Sequence, residues 1–172
     1  MTIDSFAKLL NLLLLTDCQL RIINYPELVF VYGTLKEGFP NFHVNKGARI
    51  PGVFATIERF PLYLVGERSV PWMIDEPGQG ERIAGELFEV DAAGLARMDA
   101  LEGTAEPDGY RRRRIAVAPA AGEDAAAIDA WAYLKETRQL ADATRRAGPF
   151  AAYTPGHAAA YRPRAGDGRG SP

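Results

Sequence analysis

The sequence predicts an α+β protein built as a small mixed β-barrel or a strongly curved sheet. Two observations lead to this fold class. About six segments have the pattern of strands, while one clear helix lies in the middle of the chain. Several of these strands are continuous apolar runs, which is typical of strands buried on both faces and favours a barrel over an open sandwich. The length of 172 residues favours one domain with a single core.

The predicted elements are short apolar segments separated by turns. Strands are expected at residues 28–32, 53–57, 62–65, 83–90, 111–117 and 128–134. The segment 70–74 contains Pro71, so it belongs at a sheet edge or in a loop. A short helix over residues 92–101 is capped by Asp91 and stopped by Gly103. After Lys135 the pattern weakens.

The two ends of the chain differ in character. Residues 2–16 are expected to form a helix that is apolar nearly all round, which must dock on the domain or on a partner. The alternative is a loosely ordered extension. Its run of leucines is too short for a membrane span, which needs roughly 20 apolar residues, and it lacks the features of a signal peptide. Residues 165–172 are expected to be a disordered tail.

Composition and charge exclude several functional classes. The net charge of −2 shows no asymmetry, so we expect no nucleic-acid partner and no membrane partner. The single cysteine, Cys18, rules out an internal disulfide and a cysteine-based metal cluster. The two histidines lack the spacing of a zinc site. We therefore expect a soluble cytoplasmic protein, and the many Ala, Arg, Gly and Pro residues are consistent with a GC-rich bacterial genome.

The stretch from Leu28 to Asn41 joins a buried strand to a turn bounded by Gly33 and Gly38. A strand that stops at a glycine leaves the next N–H groups without a ladder partner, and such donors suit an anionic or carbonyl-bearing ligand. The alternative is a tight turn that only leaves the core. The glycine spacing resembles a phosphate-binding loop, but Phe39 and Pro40 stand where Lys and Ser/Thr are required.

Glu102 is the carboxylate most suited to proton transfer. It shares one helix face with Leu95 and Met98, and this face must pack on the sheet. Desolvation, the negative end of the helix dipole and the nearby charge of Asp99 are each expected to raise its pKa. A glutamate with a raised pKa can take and return a proton near neutral pH. The alternative is a solvated residue at a frayed helix end.

Glu86 is the rival carboxylate, since it lies within an otherwise apolar strand and needs a partner if buried. It either carries acid/base chemistry or pairs with an arginine of the run 111–114, and we favour the pairing. Neighbours in a strand point to opposite faces, so this run does not form one basic patch. We expect two of its arginines to point outward into solvent and two to lie at the edge.

The residues 31–41, Val-Tyr-Gly-Thr-Leu-Lys-Glu-Gly-Phe-Pro-Asn, closely resemble the signature loop of the gamma-glutamylcyclotransferase-like (AIG2-like) superfamily, especially its gamma-glutamylamine cyclotransferase branch. Further segments similar to this family follow in the expected order, at residues 63–67, 70–72, 77–80, 85–91, 98–103, 110–112 and 157–164. The resemblance covers about residues 28–164, which delimits the domain and leaves residues 1–27 as an N-terminal extension.

The resemblance implies a small mixed barrel with flanking helices. It also implies release of 5-oxoproline and a free amine from a γ-glutamyl amide, through attack of the substrate's own α-amine on its γ-carbonyl, with neither cofactor nor metal. The family's catalytic glutamate falls on Glu102, as general acid and base. The expected substrate-binding residues are Tyr32, Gly33, Thr34, Leu35 and Tyr110.

Several alternatives stay open at this point. The released amine belongs to a lysine-type compound, an aminoglycoside or an amino acid. A different class of function is a non-catalytic ligand-binding or protein-interaction module on the same fold, with residues 1–27 as its partner surface. A third is acid/base chemistry centred on Glu86. We expect a monomer, with residues 1–27 as the segment available for a partner contact.

Overall fold

The computed structural model describes residues 26–121 and 125–164 of the chain. Short apolar runs of the sequence form its strands, which are β1 Glu27–Val31, β2 Ala48–Thr56, β3 Leu62–Val65, β4 Val70–Met73, β5 Ala84–Val90, β6 Arg111–Pro119, β7 Ile128–Leu134 and β8 Arg145–Ala147. The helices are a 3-10 turn Phe42–Val44, α1 Ala92–Glu102, α2 Thr137–Ala141 and α3 Pro155–Ala159.

Five strands form a closed barrel in the order β1-β5-β2-β6-β7. Neighbouring strands are antiparallel except at the closure, where β1 runs parallel to β7 and Val29 pairs with Trp131. A separate three-stranded sheet has the order β4-β3-β8. The mixed α+β barrel that the sequence predicts is therefore confirmed.

The continuous apolar strands are buried on both faces, as expected. On β1, Phe30 belongs to a cluster that joins the barrel strands to the small sheet. Its neighbours Val29 and Val31 belong to a second cluster, which also contains Met98 of α1. Alternation along one strand thus connects the barrel to the small sheet on one side and to α1 on the other. The end of β1 and the end of α1 are held close to the same core.

The predicted strands and the central helix are present, with shifted ends. β2 begins at Ala48, well before the expected start, because a register shift between Ile50 and Phe54 interrupts its apolar pattern. Pro71 lies in β4, at the edge of the small sheet, as predicted.

Three elements, α2, β8 and α3, follow Lys135, where the hydrophobic pattern of the sequence is weak. Each has five residues or fewer, which is too short for a hydrophobic period to be recognised. The helix predicted over residues 2–16 and the tail 165–172 lie outside the described residues. No helix within residues 26–121 and 125–164 has the length and apolar character needed to cross a bilayer.

Candidate functional site

The turn after β1 is buried and offers free backbone donors. Residues 32–36 are all buried. The turn is closed by a hydrogen bond from the Asn41 N–H to the Thr34 carbonyl oxygen, at 2.9 Å. In the described part of the chain, the N–H groups of Gly33, Thr34 and Leu35 donate to no protein acceptor. The expectation of donors without ladder partners is therefore met.

Tyr32 fixes the start of this turn to two other strands. Its hydroxyl donates to the Tyr133 carbonyl oxygen at 2.7 Å and accepts from the Met73 N–H at 3.2 Å. Burial raises the pKa of the Tyr32 hydroxyl far above its ordinary value, so it stays protonated. The turn is thus anchored both to β7 of the barrel and to β4 of the small sheet.

Glu86 holds the same turn by its carboxylate. Its Oε2 accepts from the Glu37 N–H at 2.8 Å, and its Oε1 lies 3.4 Å from Nη2 of Arg49. The structural role favoured for Glu86 matches these contacts, but the expected partner in the run 111–114 is wrong. The cause is strand order, because β5 lies beside β2, which carries Arg49, and not beside β6.

Two of the four arginines of β6, Arg113 and Arg114, are exposed, as expected, whereas Arg111 and Arg112 are half-buried. Each one meets a different carboxylate, and the nitrogen–oxygen distances range from 2.6 to 3.5 Å. The pairs are Arg111 with Glu136, Arg112 with Asp99, Arg113 with Asp75 and Arg114 with Glu27. As predicted, they do not form one basic patch.

Glu102 occupies the last position of α1. The Asp91 side chain caps the helix by accepting from the Gly94 N–H at 2.6 Å, and Gly103 ends it in the left-handed region at φ 62°. Met98 is fully buried and Leu95 packs on the same cluster, so the expected packing face is correct. This places Glu102 at the margin of the core.

The pKa of the Glu102 carboxyl is raised to about 7, and burial is the cause. The charges of Lys135 and Arg164 oppose this rise. The expected effect of Asp99 is wrong, because its carboxylate is engaged elsewhere. It lies 2.6 Å from Nη1 of Arg112 and accepts from the Tyr133 hydroxyl at 2.8 Å.

A short loop ties Glu102 to Tyr110. The Tyr110 N–H donates to the Glu102 carbonyl oxygen at 2.9 Å, which closes the loop 103–109 at its base. Gly109 permits this closure, since a Cβ at this position would lie only 1.6 Å from the Gly103 carbonyl oxygen. The Tyr110 hydroxyl donates to the Pro71 carbonyl oxygen at 2.9 Å. The two residues therefore hold fixed positions relative to each other.

One cavity of about 160 Å³ lies between the turn after β1 and the end of α1. All of the site residues predicted from the sequence line it, namely Tyr32, Gly33, Thr34, Leu35, Glu102 and Tyr110. Glu86 is not among the residues that line this cavity in the described part of the chain. The structure thus brings the donor-rich turn and the carboxyl with the raised pKa to one space.

Further residues line the cavity that sequence reasoning did not identify, among them Asn41, Arg68, Tyr133, Tyr161 and Arg164. Arg68 donates from Nε to the Arg162 carbonyl oxygen at 2.8 Å, so this segment near the C-terminal end of the domain is fastened to the turn after β3. Arg68 and Arg164 bring positive charge to the cavity wall. Neither arginine was predicted as a site residue, because both come from irregular segments that only the fold brings together, although Arg164 ends the family-like segment 157–164.

No group of three His, Cys, Asp or Glu side chains within the described ranges is arranged to hold a metal ion.

The sequence model of the family described as gamma-glutamyl cyclotransferase, AIG2-like, matches residues 29–152. The chain belongs to this family. Gamma-glutamylaminecyclotransferase of Rattus norvegicus is 43% identical over 94 residues, which are 52% of this chain and 62% of the rat protein. The protein of the same name from Bos taurus is 42% identical over 95 residues, which are 52% of this chain and 55% of the bovine protein.

The match thus spans less than two thirds of the length of these two curated relatives. The crystal structure of an AIG2-like protein from Mus musculus superposes with a TM-score of 0.67 and 29% identity, over 85% of this chain and 100% of the mouse chain. The barrel and the small sheet therefore belong to the fold of the AIG2-like family.

Proposed function

We propose that this protein is a gamma-glutamylamine cyclotransferase-type enzyme, which releases 5-oxoproline and a free amine from a small γ-glutamyl amide. The observation that carries the proposal is the cavity shared by Glu102 and the unused N–H groups of residues 33–35. Family membership supports the same chemistry, since relatives at about 40% identity carry the name gamma-glutamylaminecyclotransferase.

The reaction needs a folded substrate and a carrier of protons. The α-amine of the γ-glutamyl group attacks its own γ-carbonyl carbon, a new C–N bond closes a five-membered lactam, and the original amide C–N bond breaks. Both reacting groups belong to one molecule, so the cavity contributes mainly by holding them in the reactive conformation. Its volume of about 160 Å³ suits a compact, folded γ-glutamyl group.

Glu102 moves the proton in this scheme. Its carboxylate takes a proton from the α-ammonium, which frees the attacking lone pair. The resulting carboxylic acid then delivers this proton to the nitrogen of the departing amine. The attacking nitrogen loses a second proton as the lactam forms, and the released amine takes it up and leaves as an ammonium ion. A pKa of about 7 suits both directions, because neither the acid nor the base form is strongly favoured near neutral pH.

The backbone donors and the arginines are each suited to a different negatively charged group of the substrate. The N–H groups of residues 33–35 are suited to the oxyanion that develops on the γ-carbonyl oxygen, because rigid backbone donors need no reorganisation during the reaction. Arg68 and Arg164 give the cavity wall the positive charge that an α-carboxylate requires. With Glu102 acting at the α-amine and at the leaving nitrogen, each polar group of the γ-glutamyl amide thus has a partner in the proposal.

The direct test is release of 5-oxoproline from a panel of γ-glutamyl amides, with the amine part drawn from lysine-type amines, aminoglycosides and amino acids. The wild type is expected to turn over at least one class. Glu102→Gln keeps the shape of the side chain, but its amide neither takes up nor releases a proton near neutral pH, so this variant should lose turnover. An unimpaired Glu102→Gln variant would remove Glu102 from its role. Failure of the wild type on the whole panel would favour the non-catalytic alternative.

A further inference from the structure

Lys135 is a buried cation with no ion pair to a carboxylate of the described residues. It directly follows β7 and is 5% exposed. Its ammonium donates to the Asp108 carbonyl oxygen. It lies 4.6 Å from the ring centroid of Trp72 and 4.5 Å from that of Tyr110. Within residues 26–121 and 125–164 it forms no ion pair with any carboxylate.

Such an environment holds the charge in place without neutralising it. Two aromatic faces and one carbonyl oxygen attract the ammonium, but none of these three groups carries a formal negative charge. Burial of an unpaired ammonium opposes folding, so the position is maintained by the surrounding structure. The field of the Lys135 charge therefore remains available to a neighbouring group.

The neighbour is Glu102. A second cavity, of about 370 Å³, is lined by Lys135, Glu102, Tyr110 and Arg164, together with the loop 103–109. Glu102, Tyr110 and Arg164 line both this cavity and the first one, whereas Lys135 lines only the second. Glu102 thus stands between the two cavities, with Lys135 outside the space assigned to the γ-glutamyl group.

We infer that Lys135 is a positioning residue for Glu102, which fixes the loop beside the carboxyl and uses its charge to favour the carboxylate form. The catalytic meaning of this inference rests on the proposed function, whereas the coupling between the two charges does not. The loop contact runs through Asp108, which lies two residues before Tyr110, and the Tyr110 N–H donates to the main-chain carbonyl oxygen of Glu102. One ammonium therefore acts on the carboxyl through both geometry and charge.

The other groups around the pair do not substitute for Lys135. Glu102 is faced by the cations of Lys135 and Arg164 and by the hydroxyls of Tyr32, Tyr110 and Tyr133. Desolvation raises the pKa of each of these three hydroxyls, so they stay neutral, and arginine stays charged at any working pH.

Lys135 is therefore the cation beside Glu102 that titrates. Its own surroundings add the charges of Asp108, Arg111 and Arg164. Burial lowers the pKa of Lys135 to about 8, against the opposing effect of Glu102. An ionised Glu102 and a charged Lys135 thus coincide mainly between pH 7 and 8.

The test is a ¹³C NMR titration of the Glu102 side-chain carbonyl in the full chain. In Lys135→Met, which keeps the apolar stem, the midpoint should move up by about one pH unit, since an opposite charge nearby lowers a carboxyl pKa by ~1–3 units. Lys135→Arg should restore the wild-type midpoint. A folded Lys135→Met variant with an unchanged midpoint would overturn the inference.

Lys36→Met provides the matched control. Lys36 is also buried at 9% exposure, its ammonium donates to the Tyr153 carbonyl oxygen, and it lies 4.1 Å from the Phe39 ring centroid. It lines neither cavity among the described residues, so its loss should leave the Glu102 midpoint in place. An equal shift in Lys36→Met would assign the effect to general loss of a buried lysine and contradict the inference.

The wild type alone also decides the question if Lys135→Met does not fold. Its Glu102 resonance should show a second, smaller step near pH 8, where Lys135 loses its proton. A single-step titration would refute the coupling.

These titrations need no turnover, so they test the inference separately from the proposed function. A wild type without 5-oxoproline release therefore counts against the proposed function alone. An active wild type whose acid limb of kcat/KM is unmoved by Lys135→Met counts against the inference alone.

Discussion

Replacing Glu102 by Gln is expected to stabilise the fold at neutral pH while it abolishes turnover. The folded protein raises the pKa of this carboxyl from 4.5 to about 7 through burial. Between these two values the folded chain keeps a proton that the unfolded chain has already lost. The free energy of unfolding contributed by Glu102 therefore falls as the pH rises through this window, and the full penalty is present above pH 7. Gln carries no such penalty.

The magnitude follows from the shift. A change from 4.5 to about 7, at about 1.4 kcal/mol per pH unit, corresponds to roughly 3 kcal/mol. Glu102 keeps some exposure to the cavity, so screening by water reduces the expected gain to about 2 kcal/mol. The gain should be nearly absent at pH 4 and complete by pH 8.

Urea denaturation of wild type and Glu102→Gln at a series of pH values measures this difference. Comparing the gain at pH 8 with that at pH 4 removes any effect of Gln that does not depend on pH. Glu106→Gln is the control, because Glu106 is an exposed residue of the adjacent loop. The free energy of unfolding of this variant should depend on pH in the same way as that of the wild type. If Glu102→Gln raised the free energy of unfolding by the same amount at every pH, the argument that the carboxyl is desolvated would be refuted.

Two further predictions concern the loop 103–109 and the cavity wall. Gly109→Ala would place a Cβ 1.6 Å from the Gly103 carbonyl oxygen, so the base of the loop must open. The Glu102 carboxyl then gains water, and its NMR titration midpoint should fall; a midpoint equal to that of the wild type would contradict the role of the loop. Arg68→Met removes one guanidinium from the cavity and should raise KM for γ-glutamyl amides about tenfold or more with little change in kcat, since a hydrogen bond to a charged group contributes ~1.5–3 kcal/mol. Steady-state kinetics check this, and an unchanged KM would exclude Arg68 from substrate binding.

Local sequence patterns correctly predict the position of a residue where a single helix or strand determines that position. The spacing of Leu95, Met98 and Glu102 on one helix, with Gly103 as its stop, correctly places the carboxyl at the edge of the core. The alternation along β1 likewise accounts for a strand buried on both faces. These inferences need only the helical period, the strand period and a glycine.

Contacts between strands that are far apart in the sequence could not be predicted from local patterns. The partner of Glu86 depends on β2 lying beside β5, which no short-range pattern specifies. Lys135 carried a weak signal, since a lysine that directly ends a buried apolar strand is unusual. Its aromatic neighbours, however, are Trp72 of β4 and Tyr110, which precedes β6, and these lie far apart in the chain.

The hydrogen bond between Glu86 and the turn after β1 has a consequence for how variants of this protein are interpreted. The carboxylate binds the Glu37 N–H at 2.8 Å from a strand outside the cavity, so its loss should displace the backbone donors at residues 33–35. A genetic screen that scores only loss of activity would then rank Glu86 beside Glu102 and assign the chemistry to two carboxylates. Only one of them lines the cavity in the described part of the chain; the other belongs to the scaffold that keeps the donors in register.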